Sequence, residues 1–361
     1  MTIRPPIPAT AVVTFVSAYE AERRIAGVSA AGRIVRELAE AGVANVWLSL
    51  PSGETVGPDA RDDVARLARS TAVRFGEPDG GADALHLPGN RLVPAAAITA
   101  YLRGAPDGTE GAIDLDDRGA EREMLRRTAK AGDGVVSRWL NRPISRQVSA
   151  LLLKLPGIRP IHASLGTALL AVAMFAALVT GTRSGLVVGA LLFQAASIFD
   201  GVDGEIARAT YRTTRKGAAL DSAIDMATNV AAMLGLAINL AARGRHDALP
   251  LVAWALAFFL FGLALIGRRS WRRTGTVSFD GVKHDVRSWP RSPLAARLLT
   301  LATIGTSRDF CALVYLVLVL ARIPIAGLYL FAAVAPVWFL FVLRAMAPPM
   351  ASARLTHEGG R

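Results

Sequence analysis

Four aspartates lie in one stretch of the chain, between residues 200 and 225, at two helical spacings. Asp200 and Asp203 are three residues apart and Asp221 and Asp225 are four apart, so each pair shares a face if its segment is helical. Two antiparallel helices joined by the short turn between them would bring the four carboxylates together. Clustered carboxylates need a counter-charge, and Mg²⁺ or Mn²⁺ suits ligands that are all oxygen. The spacing therefore predicts a divalent-metal site, of the kind that acts on phosphate substrates with two ions.

Small and basic residues accompany these aspartates. Ala207 follows Asp203 on the same helical face, and Gly204 and Gly217 leave room where a phosphate or nucleotide comes close to the backbone. Arg208 supplies positive charge for a phosphate. The alternative is an acidic and basic turn at the membrane surface between two ordinary spans. The helical spacing together with both glycines and the arginine favours the functional interpretation.

The elements that must position these residues are long and apolar. Of 361 residues, 52% are hydrophobic and 19% are charged, which excludes a disordered chain. A membrane helix needs about 20 mostly apolar residues. Six stretches qualify, at about 162–181, 185–207, 217–241, 249–267, 298–321 and 324–346. We therefore predict a polytopic α-helical membrane protein with six transmembrane helices.

The charge of +12 is distributed unevenly. Residues 1–133 contain 16 Lys and Arg and 19 Asp and Glu, whereas residues 134–361 contain 25 and 10. The loops on one side of the predicted spans contain 11 Lys and Arg and the opposite loops contain four. The positive-inside rule then predicts that both termini and the aspartates lie on the cytoplasmic side of the inner membrane. Contact with anionic lipid accounts for the basic excess. No basic stripe interleaved with aromatics is present in the soluble part, so no nucleic-acid partner is expected.

The N-terminal residues alternate strand and helix signals. The segments TAVVTFVS, VANVWLSL, TAVRF and ALHL predict strands, and helices are predicted over residues 19–41 and near residues 59–70. This pattern predicts a small α/β domain with a mostly parallel sheet. The expected domains are the α/β domain at 1–125, a juxtamembrane linker with an interfacial helix at 126–160, the six-helix membrane domain at 161–347 and a C-terminal tail at 348–361.

The aspartate segment resembles the signature of the CDP-alcohol phosphotransferases, which reads D-x2-D-G-x2-A-R, about eight residues, then G-x3-D-x3-D. Every fixed position matches, in the order Asp200, Asp203, Gly204, Ala207, Arg208, Gly217, Asp221 and Asp225. The resemblance covers roughly residues 130–345. One departure precedes the first span, where Ile161 and Ser164 stand in place of the usual Asn and Thr.

This resemblance implies transfer of a substituted phosphate from a CDP-alcohol to an acceptor hydroxyl, with release of CMP. It assigns divalent metal to the aspartates and the general-base role to Asp225, and it places Gly204, Ala207, Arg208 and Gly217 along the CDP moiety. The implied donor is CDP-diacylglycerol or a soluble CDP-alcohol, and the acceptor is an alcohol or a phosphorylated polyol. Phospholipid or inositol-phosphate-type synthesis follows as the expected pathway class.

The α/β domain resembles a trimmed sugar-phosphate nucleotidyltransferase domain through IAGVSAAGRIVRELAEAGVANVWL and ALHLPGN. The fused arrangement resembles enzymes that join an inositol-phosphate cytidylyltransferase to a di-myo-inositol-phosphate-type synthase. However, SAYEAERR follows the first strand without a glycine loop, no lysine precedes Lys130, and Asn90 stands where a metal-binding Asp is expected. We therefore expect a degenerate domain with a scaffold or regulatory role.

Further arginines are candidates for an acceptor phosphate. Three of them share a helical face because they recur every four residues: Arg138, Arg142 and Arg146. This face binds an anionic acceptor or lipid, or it belongs to a helix that rests on anionic lipid. Arg308 and Asp309, within the fifth predicted span, bind an acceptor phosphate or pair with each other. Small residues in the third span permit close helix packing and suggest a homodimer.

Two other functions are compatible with the sequence. A non-catalytic scaffold or a transporter could use the acidic cluster to bind a cation, and it would move Mg²⁺ without releasing CMP. An active bifunctional cytidylyltransferase would need the glycine loop that SAYEAERR does not supply. The motif match favours the phosphotransferase over both.

Overall fold

The structure is a computed structural model of the chain. It describes residues 10–77, 84–105, 108–130, 133–274, 304–305 and 307–346. The described residues form two compact units. The first is drawn from Met1–Ala131, Ile144–Pro160 and Val202–Thr213, and the second from Gly132–Pro143, Ile161–Gly201 and Thr214–Arg361.

The first unit contains the α/β domain. Its described strands are β1 (Thr10–Thr14), β2 (Arg24–Ile25), β3 (Val28–Ser29), β4 (Asn45–Ser49), β5 (Ala72–Phe75), β6 (Leu85–Pro88), β7 (Arg91–Leu92) and β8 (Ile113–Asp114). Its helices are α1 (Ala18–Glu22), α2 (Ala30–Glu40), α3 (Pro58–Leu67), α4 (Ala95–Leu102) and α5 (Ala120–Arg127). A π-helical turn, Ser137–Asn141, leads into α6 (Arg142–Leu152), most of which belongs to the first unit.

A parallel sheet organises this domain, in the order β5-β4-β1-β6. The central strand β1 has an apolar run, Ala11 to Val13, that is fully buried, as expected for a strand covered on both faces. Ile34, Val35 and Leu38 form the buried face of α2. The prediction of a small α/β domain with a mostly parallel sheet is confirmed.

The single helix predicted over residues 19–41 is wrong. The structure has α1, the β2–β3 hairpin and α2 in that interval. Ala26 and Gly27 have φ values of 45° and 81°, and two consecutive residues with positive φ form the type of turn that joins two antiparallel strands. A Cβ at Gly27 would lie 2.8 Å from Leu153 Cδ2, so the turn also requires the missing side chain for close packing on the segment after α6.

Six long or apolar helices follow among the residues that the structure describes. They are α7 (Pro160–Val179), α8 (Arg183–Ala209), α9 (Arg215–Ala242), α10 (Ala248–Thr274), α11 (Arg308–Leu320) and α12 (Ile325–Met346). All except α11 are long and apolar enough to cross a membrane within the described part of the chain. These five helices agree with five of the six predicted spans. The prediction of a multi-pass membrane protein is therefore confirmed. The remaining predicted span, at 298–321, lies partly outside the described residues. The predicted tail at 348–361 lies wholly outside them.

Close packing between α7, α8 and α9 holds the helices that carry the aspartates. A Cβ at Gly189 would lie 2.4 Å from Leu178 Cδ2, and one at Gly235 would lie 2.8 Å from Leu178 Cβ. Asn239, fully buried on α9, donates to the carbonyls of Leu178 (2.7 Å) and Thr182 (3.1 Å), at the end of α7 and just after it. Small residues thus allow the backbones to approach, and a buried amide fixes their register.

Candidate active site

Helix α8 carries Asp200, and α9 carries Asp221 and Asp225 on successive turns. The side-chain oxygen of Thr214 caps α9 by accepting a hydrogen bond from the Gly217 N–H at 3.0 Å. One oxygen from each of the three aspartates lies within 4.8 Å of the other two. The structure thus brings together three of the four predicted carboxylates, from two helices.

This donor set fits a hard divalent cation. All three ligand groups are carboxylates, and Mg²⁺ binds oxygen at about 2.1 Å, so ligands on opposite sides of one ion are about 4.2 Å apart. Small side-chain movements would bring oxygens within 4.8 Å of one another to that spacing. Asp203, one helical turn beyond Asp200, is buried and does not belong to this group of three.

Arg308 provides positive charge beside the three aspartates. Its Nη1 lies 3.1 Å from Asp200 Oδ1 and donates a hydrogen bond to Asp225 Oδ1. Arg308 is the first residue of α11, and its Nε and Nη2 are buried with no hydrogen-bond partner among the described residues. The N–H groups of two guanidinium nitrogens at a helix N-terminus form a good anion-binding position.

A chain of polar side chains fixes the start of α11 on α8. Asp309 Oδ1 accepts from Ser197 Oγ at 2.8 Å, and Ser197 Oγ accepts from Asn141 Nδ2 at 3.2 Å. Asn141 Oδ1 in turn accepts from Gln194 Nε2 at 3.1 Å. Arg308 and Asp309 therefore face different partners, and the chain of hydrogen bonds sets where Arg308 begins its helix.

Arg142 has a structural partner. It forms two bonds to the carboxylate of Asp133, at 2.9 and 3.0 Å, and its Nη1 donates to the carbonyl of Gly201 at 3.3 Å. Arg138, in the π-helical turn, is exposed, whereas Arg142 is buried. These two side chains therefore differ in burial although they are four residues apart. Arg146 is half-buried on α6.

The end of α8 belongs to the first unit and carries Asp203, Gly204, Ala207 and Arg208. Arg208 Nε donates to the carbonyl of Thr128 at 2.7 Å. A Cβ at Gly204 would lie 2.9 Å from Arg208 Nη1, so the glycine makes room for this guanidinium. The arginine of the motif is thus held by the α/β domain.

Sequence reasoning missed Glu205. This residue is fully buried and accepts hydrogen bonds from Ser145 Oγ (2.7 Å) and Ser149 Oγ (2.6 Å), which attach α6 to α8. A glutamate within a predicted span was the available signal, because such residues are rarely without function. Its position two residues after Asp203 places it on a different face from the metal motif.

At the predicted nucleotide position of the α/β domain, several polar groups bind one another. Ser17 Oγ caps α1 by accepting from the Glu20 N–H (3.2 Å), and Glu20 Oε2 accepts from the Val16 N–H (2.6 Å). Near the end of β6, Asn90 Nδ2 donates to Asp116 at 2.9 Å. The Asn90 amide and the Arg23 guanidinium both lower the pKa of Asp116.

The second unit is therefore an α-helical membrane structure with an acidic, metal-compatible centre and a half-buried arginine, Arg308, beside it. The family model described as CDP-alcohol phosphatidyltransferase matches residues 160–339. These residues belong to that family, as the motif predicts. The expectation of a transferase is confirmed at this level.

Several curated relatives match part of the chain. The bifunctional IPC transferase and DIPP synthase of Aquifex aeolicus is 33% identical over 189 residues, which are 52% of this chain and 40% of that protein. The protein of the same name from Rubrobacter xylanophilus is 37% identical over 197 residues, 53% of this chain and 42% of the relative. The protein of the same name from Thermococcus kodakarensis is 44% identical over 106 residues, which are 29% of this chain and 23% of the relative. The chain thus spans less than half the length of these relatives.

Proposed function

We propose that this protein transfers a substituted phosphate from a CDP-alcohol to an acceptor hydroxyl and releases CMP. The observation that carries the proposal is the convergence of Asp200, Asp221 and Asp225, which occupy the aspartate positions of the family motif. Their carboxylates come from two helices and have a spacing that suits a divalent cation.

We assign the metal to Asp200, Asp203, Asp221 and Asp225, with two Mg²⁺ or Mn²⁺ ions as the expected number. Bound metal would stabilise the negative charge that develops on the transferred phosphate. Gly204, Ala207, Arg208 and Gly217 are assigned to the CDP moiety. Because Thr128 already orients Arg208, this guanidinium needs little further ordering to meet a phosphate.

Asp225 is assigned as the general base. Its carboxylate takes the proton of the acceptor hydroxyl while the acceptor oxygen forms a bond to the β-phosphorus of the donor. The bond between this phosphorus and the bridging oxygen breaks, and CMP leaves with that oxygen. A base can perform this step only if its carboxylate is not fully engaged, so Arg308 must turn from Asp225 toward another anion.

An acceptor phosphate would be that anion. Arg308 has two buried nitrogens whose N–H groups have no partner among the described residues, at the N-terminus of α11. This favours Arg308 over Arg142, which is already bound to Asp133. Arg138 and Arg146 are also proposed for an acceptor phosphate or lipid headgroup. A phosphorylated polyol as acceptor agrees with the DIPP synthase activity in the relatives' names.

The cellular setting is also proposed. Basic loops favour an inner-membrane protein with both termini and the aspartates on the cytoplasmic side. Membrane lipid and a second copy of the chain are its expected partners. The α/β domain at 1–125 is proposed as a scaffold, with the linker at 126–160 and the membrane domain at 161–347.

A CMP-release assay tests the proposed reaction. Purified full-length protein would be given CDP-diacylglycerol and soluble CDP-alcohols, each with alcohols and phosphorylated polyols, and products would be identified by mass spectrometry. We expect CMP and one phosphodiester product in equal amounts. Absence of CMP with every pair, together with Mg²⁺ movement into vesicles, would instead support a cation transporter.

A further inference from the structure

Helix α8 ends in a motif that usually requires glycine. The Arg212 N–H donates to the Ala207 carbonyl at 2.8 Å, and the Tyr211 N–H donates to the Arg208 carbonyl at 3.3 Å. This pair of bonds is the Schellman arrangement, whose left-handed residue is most often glycine. Here that residue is Tyr211, with a φ of 55°. A bulky residue holds this conformation only where surrounding contacts enforce it.

Arginines of the α/β domain bind the next two carbonyls. Arg33 Nη2 donates to the Ala209 carbonyl at 2.9 Å, and Arg66 Nη1 donates to the Thr210 carbonyl at 3.0 Å. Arg33 is 2% exposed, and it also donates to two carbonyls of the β2–β3 turn. Its positive charge thus lies at the C-terminus of α8, where carbonyl groups concentrate negative charge.

The ring of Tyr211 is held in the same place. The guanidinium carbons of Arg33 and Arg36 lie 5.6 and 5.3 Å from the ring centre, within the range of cation–π attraction. The Tyr211 hydroxyl donates to Glu37 Oε1 at 3.3 Å. Burial is the main cause that raises the pKa of Tyr211, so the phenol stays neutral and remains a donor.

We propose that Arg33 and Tyr211 are positioning residues, through which the α/β domain fixes the turn that joins the two halves of the aspartate motif. The inference rests on the proposed transfer reaction. Residues 210–214 are the only covalent link between α8, with Asp200, and α9, with Asp221 and Asp225. Holding the end of α8 restricts how this helix rotates and where the cap of α9 begins. The α/β domain therefore has a role in catalysis that does not depend on a nucleotide site of its own.

Four variants of the full-length protein test this role. Arg33→Met removes the contacts to the Ala209 carbonyl and to the ring. Tyr211→Asn removes the ring while keeping a residue that tolerates positive φ, and Tyr211→Phe loses only the hydroxyl. Val46→Ala is the matched control, because Val46 is fully buried in β4 and does not belong to the contacts at the end of α8. Thermal stability is measured for all four, so that effects are compared at equal loss of stability.

Two measurements decide the outcome. The first is kcat and KM for the CDP-alcohol, where Arg33→Met and Tyr211→Asn should lower kcat by about 10- to 100-fold, as small misplacements of reacting groups do. Tyr211→Phe should retain most of kcat, and Val46→Ala should leave it unchanged per folded molecule. The second is amide hydrogen exchange over residues 209–217, which should become faster in Arg33→Met and Tyr211→Asn but not in Val46→Ala.

Hydrogen exchange does not depend on turnover. It therefore shows whether Arg33 and Tyr211 hold the turn after α8, even if the parental protein transfers no CDP-alcohol. In that case the proposed function fails, and the positioning role is still tested. The proposal is overturned if Arg33→Met and Tyr211→Asn exchange like the parental protein over 209–217. It is also overturned if their kcat falls no more than that of Val46→Ala at equal loss of stability.

Discussion

The guanidinium of Arg308 lies 3.1 Å from the carboxylate of Asp200, and the same nitrogen donates to Asp225. One monovalent side chain thus bridges aspartates from α8 and α9. Three carboxylates share a small volume here, so a single positive charge offsets only part of their repulsion. The remaining negative charge is available to a divalent cation. The guanidinium of Arg308 can exchange its carboxylate partners for an anionic substrate.

Replacing Arg308 should affect the acceptor more than the donor. Arg308→Ala removes the guanidinium that contacts both Asp200 and Asp225, and we expect kcat/KM for a phosphorylated acceptor to fall about 10- to 100-fold, the cost of losing a hydrogen bond to a charged group. The CDP-alcohol KM should change much less. Steady-state kinetics with each substrate varied in turn separates the two effects.

Arg183→Ala is the control, because Arg183 is exposed at the start of α8, at the end opposite Asp200. Equal losses for donor and acceptor in Arg308→Ala would contradict an acceptor role and indicate collapse of the aspartate site.

Chelation should abolish activity. EDTA removes the cation that the three carboxylates require, and Mg²⁺ or Mn²⁺ should restore turnover. In Asp221→Asn, the Mg²⁺ concentration for half-maximal activity should rise by at least about 10-fold, since loss of even an outer-shell partner typically costs 10- to 100-fold in metal affinity. Activity measured against Mg²⁺ concentration provides the test.

Asp247→Asn is the matched control for charge. Asp247 is a partly exposed carboxylate that pairs with Arg245 just before α10, and its loss should leave the Mg²⁺ curve unchanged. Full turnover in EDTA, or the same shift in both variants, would argue against a metal site formed by Asp221.

Asp225→Asn should separate proton transfer from binding. The amide oxygen of asparagine can still accept a hydrogen bond from Arg308, but the side chain cannot take a proton. General-base catalysis contributes about 10²- to 10⁴-fold, so kcat should fall by that factor. Equilibrium binding of the CDP-alcohol should be nearly retained.

Asp225→Glu is the companion variant, because it restores a base in a displaced position and should recover part of kcat. A near-normal kcat in Asp225→Asn would remove Asp225 from the role of base, and a matching loss of donor binding would make it a ligand alone.

The spacing of the aspartates predicted much of the site because helical periodicity is local. Asp221 and Asp225 are four residues apart, and one short turn connects their helix to that of Asp200, so convergence follows from the chain itself. Asp203 is still only a predicted ligand. The position of Arg308 could not be derived in this way, since its contact with Asp225 joins residues 83 positions apart.

In the α/β domain, the sequence predicted the sheet but not the contacts between residues that are distant along the chain. Its parallel sheet was predicted from apolar runs, but the β2–β3 hairpin was missed because Ala26 adopts positive φ, which its residue type does not signal. Arg33 is a charged residue on α2. It is buried because the carbonyl of Ala209, 176 residues away, supplies its partner. Tertiary contacts of this kind leave no trace in local sequence.

The α/β domain should not form a CDP-alcohol. Full-length protein given CTP and a sugar phosphate or inositol phosphate should release no pyrophosphate above background, while the same preparation releases CMP from a CDP-alcohol. The full chain is the correct sample, because truncation after residue 125 would remove segments 144–160 and 202–213 from the first unit.

The physical reason is that several polar groups at this end of the sheet already bind within the chain. Glu20 accepts from the Val16 N–H just before α1, so this backbone donor is engaged and a negative charge lies beside it. The Asp116 carboxylate is held by Asn90 and Arg23 and is not available as an independent metal ligand. Asn90→Asp alone should therefore not create activity. Pyrophosphate release that disappears in Asp116→Asn would show that this domain is an active cytidylyltransferase.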